Sequence, residues 1–134
     1  MSDMAGTYGS NLALHLVNAI DYTAPVAVYA GLWTALPGAN TPGPGEVSGG
    51  GYARQLITAK MNFASTPPTH RENHLVIDFG IASSDWGDVG WIALIGHLTD
   101  ASPYFARTAL AESADITSGQ QALFPLRALD MTWA

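Results

Sequence analysis

The sequence predicts an all-β protein: an antiparallel, jelly-roll-like β-sandwich preceded by a short N-terminal amphipathic helix. Three observations predict it. Short runs rich in β-branched and aromatic residues recur from Val26 onward. Segments dense in Gly, Pro, Ser, Asn and Asp separate these runs, with no alternating helical pattern between them. A single stretch, NLALHLVNAI, carries the helical period. The chain accordingly divides into 1–24, an arm with a short helix, and 25–134, one β-sandwich domain.

In the helix predicted over Asn11–Ile20, Leu12, Leu16 and Ile20 fall at i, i+4 and i+8 and form one apolar stripe. Ser10 or Asn11 is the expected N-cap, and Pro25 the stop. The stripe is expected to cover the protein's own core rather than a neighbouring subunit, because most amphipathic helices pack at home. Predicted strands follow at Val26–Thr34, Tyr52–Lys60, Asn73–Phe79, Gly90–His97, Pro103–Leu110 and Ala122–Trp133. Within Tyr52–Lys60 the alternation places Ala53, Gln55, Ile57 and Ala59 on one face, and Tyr52, Arg54, Leu56 and Thr58 on the other. ASSDWGD, ASTPPTHRE and ESADITSGQ read as connecting turns. The segment Ala35–Gly51 holds nine Gly and Pro in 17 residues, a length usual for loops that are either functional or disordered.

Composition narrows the function. Charged residues make up 12%, about half the usual share, so the surface is either dressed in neutral polar residues or partly covered by other subunits. The net charge is −6, and the five basic residues form no cluster, which argues against nucleic acid. No apolar run approaches the length needed to cross a bilayer, and MSDMAGTYGS has neither the basic nor the apolar region of a signal peptide. The absence of cysteine excludes disulfides, thiolate metal sites and a cysteine nucleophile.

Four motifs invite a chemical reading. SGGGYAR has a phosphate-loop look, but its glycines lead into a strand rather than a helix, and no Gly-Lys-Ser/Thr follows. A turn built on positive φ is expected instead. His70, Glu72 and His74 would share one face of an extended segment, an N-O-N set suited to zinc, but with no fourth protein ligand in view; solvated histidines in a polar loop are the plainer expectation. SSDWGD offers oxygens without the calcium-loop frame, and ordinary turn chemistry accounts for it. Among the aromatics, Trp86 stands in a turn and is the best placed for a sugar platform, although strand aromatics are more often core. No nucleophile elbow or local triad is present, so the chain is expected not to be an enzyme and to need no cofactor or metal.

The order of the pieces resembles a family of small bacteriophage virion proteins described as tail-fibre-like or as capsid-decoration proteins. The resemblance runs from NLALHLVNAIDYTAPVAVYAGLWTALPG, with Tyr22 and Pro25 at an aromatic-proline step, through EVSGGGYARQ at Glu46–Gln55, to VIDF and then WGDV at Trp86–Val89. It weakens in the last strands, where Ala93-Leu94-Ile95-Gly96 and Ile116-Thr117-Ser118-Gly119-Gln120 depart from the pattern. It implies a non-enzymatic virion protein assembled in the host bacterial cytoplasm, with no catalytic residue to carry over. The leading expectation is a decoration or cement protein that binds the outer shell as a symmetric oligomer, a homotrimer, with the major capsid or other virion proteins as partners. The alternative is a tail-fibre, head-fibre or tail-associated adhesion component with a receptor- or sugar-binding surface. Contacts with neighbours are expected from the segment Ser2–Ser10 and the loop Pro37–Gly51. The residues expected to make them are Tyr8, Pro37, Val47, Gly49, Gly50 and Gly51, with Tyr8 and Val47 as anchors, joined by Leu12 and Leu16 of the helix.

Overall fold

The structure, a computed structural model, describes residues 2–19, 21, 23–63 and 70–132. It is mostly β with one short N-terminal helix, as the sequence predicts, and every strand pairing is antiparallel. The elements are β1 (Ser2–Met4), α1 (Gly6–Val17), β2 (Tyr29–Trp33), β3 (Gln55–Leu56), β4 (Met61–Phe63), β5 (His70–Asn73), β6 (Ile77–Ile81), β7 (Gly87–Ile95), β8 (Tyr104–Ile116), β9 (Gln121–Phe124) and β10 (Asp130–Thr132). They form a five-stranded sheet in the order β1-β8-β7-β2-β3, a three-stranded sheet β10-β5-β4, and the pair β6-β9.

Strands β2 and β7 sit at the centre and are covered on both faces. Ala30, Leu32, Ile92 and Leu94 point into the main core, which joins all three sheets through Ile77, Phe79, Ala122, Leu129 and Met131. The intervening residues Trp33, Ala93 and Ile95 point the other way, into a second cluster closed by Ala5 and Tyr104. This is why the alternation expected of a half-buried strand is missing in YAGLW and in WIALI. Both faces are inside, and the runs read as continuously apolar.

The helix departs from expectation at both ends and in its packing. It begins at Gly6, and neither Ser10 nor Asn11 caps it. Its cap is Ala5, which has no side-chain hydrogen bond to offer. The first helical N–H finds its partner in the tertiary structure instead: the Gly6 N–H donates to the Ala39 carbonyl at 3.0 Å. It ends before Pro25 matters, because Ala19 takes a left-handed φ of 51°; Ile20 and Tyr22 lie outside the described residues. No residue of α1 is buried, and Leu16 and Val17 are 83% and 80% exposed. The expectation that its apolar stripe covers the home core is therefore wrong. Ala5 and Tyr8, at the start of the helix, cover the sheet, Leu12 is half-buried, and Leu14, Leu16 and Val17 are exposed. The arm before it is not loose either: Ser2–Met4 pairs with Ala106–Thr108 of β8.

Other boundaries shift for local reasons. Only Gln55–Leu56 of the Tyr52–Lys60 run is strand, and Arg54 and Ile57 are both buried, so the predicted two-face split breaks between them. Asn73–Phe79 divides at Asn73, whose fully buried amide satisfies backbone groups that a continuing ladder would have used. The C-terminal run divides at Pro125, which has no N–H, and at Arg127, with φ 64°; Trp133 lies outside the described residues. The predicted turn ESADITSGQ is strand as far as Ile116. There β8 carries a wide bulge: Ala109 pairs with Trp91 and Ala114 with Val89, so Leu110–Ser113 stand opposite Gly90 alone.

Candidate functional site

The segment that raises the sharpest chemical question, Glu46–Arg54, folds along the free edge of β2. Trp33 bridges to Glu46, and the Val47 N–H donates to the Leu32 carbonyl at 3.0 Å, so the loop extends the sheet beyond β3. Its three glycines are all left-handed, with φ of 72°, 58° and 78°. Gly50 also permits close approach. A Cβ there would lie 2.6 Å from Ser84 Oγ and 2.7 Å from Trp86 Nε1. Its carbonyl accepts from the Ser83 N–H at 2.9 Å and from Trp86 Nε1 at 3.1 Å. This run is a turn that clips to the Ser83–Trp86 segment, with no helix behind it to face an anion.

The turn returns Tyr52 and Arg54 to Glu46. Arg54 Nε and Nη2 donate to the two Glu46 carboxylate oxygens, each at 2.7 Å, in a two-pronged fork. Nη1 donates to the carbonyls of His97 at 2.8 Å and Asp100 at 2.6 Å, and the guanidinium lies 6.0 Å from the Trp33 ring centroid. The Tyr52 hydroxyl donates to Glu46 Oε1 at 3.0 Å and accepts from the Leu32 N–H at 2.9 Å. Hydrogen bonding to Glu46 pushes the Arg54 guanidinium above its ordinary value, against the effect of burial. Burial pushes the Tyr52 phenol far up, and the Glu46 charge adds to it. Gly31 leaves room for the cluster, because a Cβ there would meet Trp33 at 2.6 Å and Glu46 Oε1 at 3.0 Å. The Glu46–Tyr52–Arg54 cluster ties loop to sheet, and nearly every donor in it is used at home. The sequence shows all three residues but not that they meet.

The residues expected to touch neighbours separate into two groups. Val47 is 5% exposed and belongs to the main core, and Pro37 is fully buried with its carbonyl accepting from Arg107 Nη1. Neither side chain is available as an anchor, because both are buried against the protein's own sheets. Tyr8 is half-buried, its ring edge-on to Phe105 at 4.8 Å between centroids. Gly50 is half-buried, while Gly49 and Gly51 are exposed. Leu12 and Leu16 line an open groove of about 640 Å³ along α1, together with Gly9, Ala13, His15, Ala19 and Asp21.

Of the zinc candidates, His70 lies in β5 opposite Thr132, and its side chain is outside the described residues. Glu72 Oε1 lies 3.2 Å from Arg127 Nε, and His74 falls past the end of β5, so the alternation that would align it does not continue. Trp86 is 5% exposed and takes part in the Tyr52 ring cluster, so it offers no sugar platform; an aromatic in a turn reads as exposed only when nothing folds over it. In the SSDWGD turn, Asp85 Oδ1 accepts from the Ser118 N–H at 2.8 Å. One site residue had no chemical signal in the sequence. Asn73 donates to the Leu75 and Pro125 carbonyls at 2.9 and 2.8 Å, and accepts from the Leu129 N–H at 2.9 Å.

A family model described as podophage GP4 fiber I protein gp80 matches residues 4–132, nearly the whole chain. The chain belongs to this family. It is a bacteriophage virion protein of the fibre type, located in the particle and associated there with other virion components. No curated protein matches it. Membership covers α1 and the Glu46–Arg54 lock alike, since both fall inside the matched range.

Proposed function

We propose that this chain is a non-enzymatic structural component of a virion fibre, seated on neighbouring virion proteins through the outward side of α1. The observation that carries the reading is a 12-residue helix with no buried residue and with Leu16 and Val17 almost fully exposed. GTYGSNLALHLV contains no Asp, Glu, Lys or Arg, so the helix itself buries no carboxylate, ammonium or guanidinium against a partner, and Asp21 is the one acid lining its groove. A helix of this length spans about 18 Å, a footprint below that of a stand-alone interface, and a repeated or composite contact suits it. The neighbours include further copies of the same chain in a symmetric cluster, a homotrimer being the simplest. The fibre description of the family favours this place over shell decoration, the first expectation from sequence. The polar residues of the glycine loop support a non-enzymatic reading, since Glu46, Tyr52 and Arg54 are spent on one another.

Cryo-electron microscopy of the intact particle tests the proposal. The expected map has a small number of copies at fibre positions, with α1 against a neighbour in each. Copies tiling the shell, or α1 facing solvent in every copy, would overturn it.

A further inference from the structure

A second cleft lies where the first turns of α1 meet the segments 38–42 and 101–104, and it has a volume of about 410 Å³. Two tyrosine rings line its inner side. Tyr104 is 7% exposed and its hydroxyl donates to the Gly38 carbonyl at 2.9 Å, which fixes the ring. Tyr8 is fixed by its edge-on contact with Phe105. The outer side carries Thr7, Asn11, Asn40 and Thr41, all exposed. Among the described residues, none of these four side chains makes a hydrogen bond. Asn40 leans over the start of the helix, where a Cβ on Gly6 would lie 2.5 Å from its Oδ1.

The lining contains no Asp, Glu, Lys, Arg or His. That removes the usual means of holding a phosphate, a carboxylate or an amine. It is also too polar for an apolar ligand, with the amides of Asn11 and Asn40 and the hydroxyls of Thr7, Thr41 and Ser102 around the opening. Amides offer a donor and an acceptor side by side, the pattern that vicinal hydroxyl groups match, and aromatic faces accept the C–H side of a pyranose ring. The volume is at the small end of the range for ligand sites, which suits one or two rings. We propose that this cleft binds a neutral saccharide, with Asn11 and Asn40 hydrogen-bonding ring hydroxyls and Tyr8 packing against the ring. The inference does not rest on the fibre seating of α1, because Thr7 and Asn11 are turned about 100° or more around the helix from Leu12 and Leu16, with Tyr8 between the two sides.

The test is an amide NMR titration of the full chain with glucose, galactose, rhamnose and N-acetylglucosamine, with glucuronate as the charged control. At least one neutral sugar should bind, with shift changes confined to residues 7–11, 38–42 and 101–104. Asn40→Ala, whose side chain is exposed and makes no hydrogen bond, should weaken that binding about 5- to 10-fold while shifting few amides beyond those of the cleft and the start of α1. Failure of all four neutral sugars to perturb these residues would overturn the proposal. So would glucuronate binding as well as the best neutral sugar, or unaltered affinity in Asn40→Ala.

Discussion

At the scale of single residues, Tyr52 is the position with the clearest consequence in solution. Its phenol is held neutral by burial beside the Glu46 carboxylate, well above the ordinary value of 10.0. In the unfolded chain the same group ionises near its ordinary value, so above that pH the folded state binds more protons than the unfolded one. Stability supplied by Tyr52 is then complete below pH 10 and falls as the pH rises past it. Urea unfolding between about pH 8 and 11 should show stability declining by up to about 1.4 kcal/mol per pH unit beyond that of Tyr52→Phe, which cannot ionise. Equal slopes for the two proteins would contradict the assignment. Arg54 contributes nothing to this window, because its already high value is pushed higher still. Glu46, Tyr52 and Arg54 could each be named from the sequence. Their meeting could not, because it depends on a turn closing on a sheet edge, and residue spacing does not encode which edge is free.

At the scale of elements, boundaries follow side chains that claim backbone groups. Asn73 is the clearest case: its amide bridges the end of β5 to the Pro125 and Leu129 segments and sits fully out of water. Asn73→Ala leaves two carbonyls and one N–H without their partner and should cost about 3 kcal/mol, read as a lower midpoint in urea unfolding with an unchanged slope. Asn73→Asp should be similarly costly, since a carboxylate cannot donate to the Leu75 and Pro125 carbonyls. The pattern NHLVIDF gave an apolar run and hence one strand; a buried amide inside such a run is indistinguishable from a surface asparagine until its surroundings are known. The helix shows the reverse. Its period was plain in LALHLV, but its start at Gly6 depends on the Ala39 carbonyl, far away in sequence. Its exposure depends on β1 and Ala5 already having closed the sheet.

At the scale of the whole molecule, the fold class was legible because turn residues and β-rich runs alternate along the chain. The division into three sheets was not, since it is set by which strands share a core. The charged share of 12% and the apolar outer side of α1 point to a surface that other proteins cover. Leu16→Asp should leave thermal stability within about 0.5 kcal/mol of the parent, because the side chain is 83% exposed. In particles assembled with this variant, the amount of the chain retained should fall at least several-fold, measured by quantitative mass spectrometry of purified virions. Normal retention would place the attachment surface elsewhere.

Gly49, Gly50 and Gly51 follow one another with φ of 72°, 58° and 78°. For three residues the chain runs in the hand opposite to that of L-amino acids. Stereochemically, the loop contains a short piece of mirror-image peptide, written in the one residue that has no handedness. Its shape is therefore guarded by chirality as well as by contacts. Gly49 has open space around it, yet an L side chain there is still opposed by the backbone. A D-alanine at the same position would accept the turn and restrict the unfolded chain. The glycines hold a place for a residue that ribosomal synthesis does not supply.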